Sequence, residues 1–131
     1  MYLLDTNICI FLKNGKPIQV LERLHRIINT NVFISSISVA ELQFGVYNSQ
    51  NIEKNHVSLV EFLAPFEIIN FDDNDAEQFG KIRTELKKTG KLIGPYDMLI
   101  AAQALSRNLI LVTNNTNEFN RIDGLKLEDW K

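Results

Sequence analysis

Tyr2-Leu3-Leu4-Asp5-Thr6-Asn7 opens the chain with three apolar residues followed at once by three polar ones. The short apolar run reads as a buried strand, and the polar triplet as its end. Working outward, Ile8 to Leu12 forms a short helix stopped at Lys13-Asn14-Gly15. Pro17 suits a first helical turn, and Val20, Leu21, Leu24, Ile27 and Ile28 then repeat at helical spacing. Val32-Phe33-Ile34 is a second strand, bounded by Asn29-Thr30-Asn31 and Ser35-Ser36. Ser38 is placed to cap the next helix, which runs through Leu42 and Val46.

The alternation continues to the end of the chain. Ile52 to Leu63 is helical and closes at Pro65, and a third strand surrounds Glu67-Ile68-Ile69. Asp72-Asp73-Asn74-Asp75 opens a long helix with Phe79, Ile82 and Leu86 on one face, ended by Gly90. Acids at its start and Lys87-Lys88 near its end match the helix dipole. Gly94-Pro95 starts a helix through Leu105, Leu109 to Val112 is a fourth strand, and Leu125-Lys126-Leu127 is a fifth at the edge. Strands alternating with helices predict an α/β fold, a mainly parallel sheet covered by helices on both faces. Right-handed crossovers place the carboxyl ends of its strands along one rim, where sites form in open α/β sheets.

The bulk numbers agree. With 131 residues, 45% apolar and 23% charged, the chain suits one compact domain spanning 1–131 with a real core. The single cysteine, Cys9, rules out an internal disulfide and lies among apolar neighbours, as a buried small hydrophobe does. No secretory leader follows Met1, and no apolar run approaches the roughly 20 residues needed to span a bilayer, so the expected location is the cytoplasm. The net charge of −2 does not advertise a nucleic-acid binder, so any electrostatic attraction must come from local clusters.

The acids are more telling. Asp5 follows the first strand directly, and Glu41 falls in the first turn of the helix after the second strand. Asp97 falls in the first turn after Gly94-Pro95, and Asn115 and Glu118 follow the fourth strand. Four distant segments thus aim oxygen ligands at one rim. Crowded carboxylates repel, and a divalent cation offsets that repulsion. Hard oxygen donors, with no histidine or cysteine cluster, favour Mg²⁺ or Mn²⁺ over zinc. His25 and His56 fall on helices at no ligand spacing and read as solvated or packing residues. Each acid also has a purely local reading. Ser38-Val39-Ala40-Glu41 and Asn115-Thr116-Asn117-Glu118 fit capping boxes, Asp97 suits a first turn, and Asp5 suits an N-cap. Their joint placement at one rim favours the metal reading.

These segments resemble a known family. Leu3-Leu4-Asp5-Thr6-Asn7 resembles the opening motif of PIN domains. Ser36-Ile37-Ser38-Val39-Ala40-Glu41-Leu42 resembles the second motif, with its metal-site glutamate. The stretch Ile93 to Ala102 resembles the third, with its aspartate, and Leu111 to Phe119 the fourth. The ending Gly124-Leu125-Lys126-Leu127-Glu128-Asp129-Trp130 is similar to the close of VapC-type toxins. The resemblance implies a three-layer α/β/α sandwich and a metal-dependent endoribonuclease. It also implies a homodimer, and a VapB-type antitoxin whose tail lies across the active-site groove. Structured RNA, tRNA first, is the substrate class it suggests. By that resemblance Asp5, Glu41, Asp97 and Glu118 are the catalytic acids. Metal falls to Asp5, Asp97, Glu41 and Asn115, while Thr6, Asn7, Ser36 and Thr113 orient the ligands. Asn115 stands where many PIN domains carry an aspartate, so it brings a carbonyl oxygen but no charge to a second metal position.

The chemistry expected is metal-assisted phosphodiester hydrolysis, with Asp97 or Glu118 accepting a proton. RNA contacts are expected from Arg83, Lys87, Lys88 and Lys91, within a cluster beginning at Lys81. A second cluster comprises Lys13, Lys16, Arg23 and Arg26. A solvated helix face is the simpler reading of each. A receiver or phosphatase domain would want an acidic pair or Asp-x-Asp, and Asp5-Thr6-Asn7 supplies neither. A structure-specific DNA nuclease would want an added clamping domain. A catalytically silent PIN-like module that binds RNA or protein is the principal alternative, for which Asn115 leaves room.

Overall fold

A computed structural model describes residues 1–27 and 30–131; Ile28 and Asn29, which the helical and turn readings above include, lie outside the described residues. The element order is β1 (Tyr2–Leu4), α1 (Thr6–Asn14), α2 (Ile18–Ile27), β2 (Val32–Ser35), α3 (Ser36–Tyr47), α4 (Ile52–Leu63), β3 (Glu67–Ile69), α5 (Asp73–Lys88), α6 (Pro95–Ser106), β4 (Ile110–Val112), α7 (Thr116–Phe119) and β5 (Leu127–Glu128). The strands form one sheet in the order β3-β2-β1-β4-β5, parallel at every pairing.

Strand β1 is central, and its residues divide between the two faces. Leu3 packs with Leu111, Met98, Ile100 and Phe119 beneath α5, α6 and α7. Leu4 packs with Ile8, Ile34, Leu42, Leu59 and Val112 beneath α1 to α4. Both are fully buried, and this two-sided burial is why the strand reads as a continuous apolar run. The three-layer α/β/α sandwich expected from the sequence is the fold.

The strand order creates a switch point. From β1 the chain crosses to β2 and β3 on one side, then returns to β4 on the other. The connections diverge at the carboxyl ends of β1 and β4, the position where sites form in open α/β sheets. In register, Leu4 pairs with Ile34 on one side and Val112 on the other. Asp5, Ser35 and Thr113 are therefore neighbouring strand-end positions.

Several boundaries differ from the sequence reading: α1 extends over Thr6–Asn14, and β5 is Leu127–Glu128 rather than Leu125-Lys126-Leu127. Helix α3 begins at Ser36, and its cap is Ser35, whose hydroxyl accepts from the Ile37 N–H at 3.0 Å. Ser38 is inside the helix and buried, so Glu41 lies in the second turn and the Ser38–Glu41 capping box does not form. Four residues after β4, Thr116–Phe119, form a short helical turn that the sequence reading lacks.

Candidate active site

Asp5 occupies the switch point. Its N–H donates to the Val112 carbonyl at 3.0 Å, continuing the β1–β4 ladder by one bond. Its backbone then leaves the strand, and its Oδ1 accepts from the Ile8 N–H at 2.9 Å, capping α1. The cap reading is correct and excludes nothing, since Oδ2 is not used by it. Only 3% of Asp5 is exposed. Burial pushes its carboxyl up to about 6, with Asp97 and Glu41 adding to the rise. A hydrogen bond with Thr113 and the Ile8 N–H pull the other way.

The other acids gather around it. Asp97 sits half-buried in the first turn of α6, behind the Gly94-Pro95 entry. Its pKa is raised by burial first, then by Glu41 and Glu118. Glu41, on α3, is held from the α1 side: the Thr6 hydroxyl donates to its Oε1 at 2.7 Å and lies 2.9 Å from the Ser38 hydroxyl. Glu118, on α7, accepts from the Asn115 side-chain amide at 2.9 Å. Asn115 makes no side-chain cap, so that capping-box reading fails as well. Its backbone N–H donates to the buried Thr113 hydroxyl at 3.0 Å.

Thr6 and Thr113 thus touch the acids directly. Ser36 does not: its hydroxyl accepts from the Phe71 N–H at 3.3 Å and ties α3 to the end of β3. Asn7 is exposed and lines a shallow cavity with Thr6, Lys13 and Glu41. Arg83, Lys87, Lys88 and Lys91 are all exposed. Of the second basic cluster, Arg23 pairs with Glu128 at 2.6 Å and so serves the fold. Both histidines are exposed. Cys9 is buried, and burial together with Asp5 pushes its thiol well above the usual range, so it is inert packing.

The donor set fits a hard divalent cation. It consists of carboxylates, two of which, Asp5 and Asp97, have their pKa raised by acidic neighbours, with no histidine or cysteine among them. Asn114, next to Asn115, adds a buried side-chain oxygen with no hydrogen-bond donor. The acids are not drawn into a closed set: among the described residues no three His, Cys, Asp or Glu side chains stand ready to hold an ion. Glu41 rests on Thr6 and Glu118 on Asn115 instead.

A buried aspartate at an α/β switch point, ringed by acids from three other elements, is the arrangement of a metal-dependent nuclease. Residues 2–125 match the PIN domain, and the chain belongs to the PIN-domain family, whose nucleases are metal-dependent. Within it the relatives are VapC ribonucleases. The chain is 43% identical over 129 residues to the tRNA(fMet)-specific endonuclease VapC of Shigella flexneri, covering 98% of this chain and 97% of that one. It is 44% identical over 131 residues to ribonuclease VapC2 of Rickettsia felis, covering 99% and 98%. The fold superposes on the crystal structure of Rickettsia felis VapBC2 bound to a promoter DNA fragment with a TM-score of 0.94, at 43% identity over 99% of this chain and 98% of that one. DNA-bound VapBC from Salmonella typhimurium gives 0.93 at 41% identity, with the same coverage.

Proposed function

We propose that the chain is the toxin of a toxin–antitoxin pair, an endoribonuclease that hydrolyses phosphodiester bonds of structured RNA with Mg²⁺, or Mn²⁺ in its place. The observation that supports this is the acidic switch point: Asp97 and Glu41 act on the buried Asp5, and Glu41 and Glu118 act on Asp97. The named specificity of the Shigella flexneri relative makes tRNA the substrate to test first. The solved VapBC complexes support a VapB-type antitoxin as partner. A homodimer in the cytoplasm is the working state we assign; among the described residues no helix is long and apolar enough to cross a membrane.

Asp5, Asp97 and Glu41 would hold the ion, with Asn115 contributing a carbonyl oxygen. When bound, the ion supplies charge neutralisation at the phosphate and makes an attacking water more acidic. Asp5 is the anchor because its position is fixed by the Val112 and Ile8 bonds. Thr113 favours its ionised form, and Thr6 fixes the orientation of Glu41. Asp97 or Glu118 is the group we assign to take the proton from the attacking water. Asn115 brings no charge, so one tightly held ion is expected, with any second held more weakly.

The test is incubation of purified, antitoxin-free protein with total bacterial RNA, with Mg²⁺ or Mn²⁺, with EDTA, and with Asp5→Ala in parallel. Discrete fragments that need both metal and Asp5 are expected, and sequencing their ends names the bond cut. No cleavage by folded, metal-loaded protein across that pool would leave a silent binding module as the function.

A further inference from the structure

Arg121 reaches back across the chain. Its Nη1 donates to the carbonyl oxygens of Lys91 at 3.4 Å and Leu92 at 3.3 Å, joining the segment after Glu118 to the segment before Asp97. Between this junction and α5 lies a cavity of about 710 Å³. Its walls include Lys81 on α5, Lys91, Arg121, and the amides of Asn117 and Asn120; Ile82, Leu86 and Ile122 supply apolar surface. Asn117 is the chain neighbour of Glu118. The cavity is therefore built partly from the segments that carry two acids of the rim, although none of those acids lines it.

Its chemistry is that of a nucleotide site. Three cations suit a phosphate, side-chain amides suit the edge of a base, and an apolar floor suits its face. Glu85 and Asp123 also line it, which suits a single phosphate rather than a dense polyanion. Among the described residues Lys81 pairs with Glu77 alone, at 3.6 Å with both side chains largely exposed, a pairing worth little. Arg83, Lys87 and Lys88 are absent from this wall although they share the helix. Helical spacing turns Arg83 and Lys87 onto other faces of α5; Lys88, seven residues beyond Lys81, shares its side of the helix but does not line the cavity.

We propose that this cavity holds a nucleotide flanking the scissile phosphate of the RNA, with its phosphate on Lys81, Lys91 and Arg121 and its base against Asn117 and Asn120. The proposal rests on the endoribonuclease reading above and adds the track by which RNA reaches the acids.

Binding is measured with bulk tRNA in EDTA, in an Asp5→Ala background that cannot cut, over a salt series. Lys81→Gln with Arg121→Gln should weaken binding about tenfold and flatten the salt slope, by roughly 0.7 for each single-stranded phosphate no longer neutralised. In the cutting enzyme the same pair should act mainly through KM. Glu85→Gln with Asp123→Asn removes acids from the same walls and should tighten binding, a gain that misfolding cannot mimic. Arg121→Lys keeps the charge and should retain most of the binding. Folded variants that bind tRNA with unchanged affinity and slope, while the wild type cleaves, would overturn the cavity and leave the nuclease standing. A double variant that loses antitoxin affinity alone would also overturn it. A wild type that never cleaves, with the binding loss intact, would overturn the nuclease reading and leave the cavity an RNA site.

Discussion

Two acidic clusters, each built around one buried aspartate, lie in this molecule, and they are treated in opposite ways. At the switch point, burial pushes the Asp5 carboxyl up to about 6, and its acidic neighbours push the same way. Where α5 meets the end of α6, Asp75 is just as buried, yet its pKa is held below the ordinary carboxylate range. Burial works against Asp75 too, but Ser106, the Asp72 N–H and Arg107 outweigh it. Arg107 reaches Asp75 at 3.2 Å and Asp72 at 3.3 Å, and also donates to the Asn70 carbonyl at 2.8 Å. Asp72 and Asp75 exchange bonds in a complete capping box. One cluster carries its own cation and is finished as a piece of structure. The other has, among the described residues, no ion pair to any of its acids and is left with excess negative charge. The contrast separates a site from a brace better than acidity or burial does alone.

The sharpest way to break the contrast is Asp5→Asn. It should reduce RNA cleavage to background, because the anchor charge is gone. It should also raise the melting temperature of the metal-free protein at pH 7.5, because the Ile8 cap survives on the amide oxygen. The sign follows from linkage. A carboxyl raised from 3.8 to about 6 binds more protons folded than unfolded between those values. Stability therefore falls as pH rises through that window, by roughly 3 kcal/mol for the full interval. Metal-free wild type should lose stability between about pH 4 and 6, Asp5→Asn should not, and Mg²⁺ should restore most of the loss. Near-normal cleavage by Asp5→Asn, or a lower melting temperature at pH 7.5, would end the assignment.

The brace responds in the other direction. Arg107→Ala leaves Asp75 buried without its cation and should cost about 3 kcal/mol in a denaturant titration at neutral pH. Asp75 has a lowered pKa, so its contribution is present above the ordinary 3.8 and is lost as pH falls below it. The penalty of Arg107→Ala should accordingly shrink in acid. Cleavage per folded molecule should be unchanged, and a large fall in kcat would mean that the two clusters are not independent.

What the sequence discloses differs between the clusters for physical reasons. Asp5 is legible because a largely buried strand three residues long has few places to end, and an acid there is conspicuous. Asp97 is legible because Gly94-Pro95 fixes where its helix starts. Glu41 reads as a ligand, but a turn too early in its helix. Ser35-Ser36-Ile37-Ser38 offers three hydroxyls that can cap, and local chemistry does not choose among them. The choice is made by tertiary structure: β2 runs through Ser35, whose hydroxyl also bonds to the buried Gln103 of α6. The acids opening α5 are visible as a helix start, but Arg107 lies far along the chain and nothing local announces it as their partner. The same holds for Arg121. Helical and strand periods are readable, whereas the strand order that creates the switch point depends on which crossovers pack.

Between these extremes stands Thr6, whose hydroxyl fixes Glu41. Thr6→Val preserves shape and removes the donor, and should weaken Mn²⁺ binding about tenfold by calorimetry with little change in fold. An unchanged affinity would mean that Glu41 is not held for the ion.

The smallest expected effect tests how far the negative charge at the switch point can be raised. Asn115→Asp replaces the amide that donates to Glu118 with a further carboxylate beside it. Without metal the change is unfavourable twice over: Glu118 loses a hydrogen bond and gains a like charge. Glu118 already raises the Asp97 pKa, so a further carboxylate beside it should raise Asp97 further unless Glu118 swings away. The metal-free variant should therefore melt slightly lower than wild type at neutral pH. With metal the balance reverses, because the added charge is what a second ion would require. Mn²⁺ affinity should rise a few-fold, or a second binding event should appear in the titration. The loss and the gain should occur in the same variant, each depending on the cation. Loss of stability without gain in affinity would place Asn115 outside the metal's reach, as a residue that only steadies Glu118.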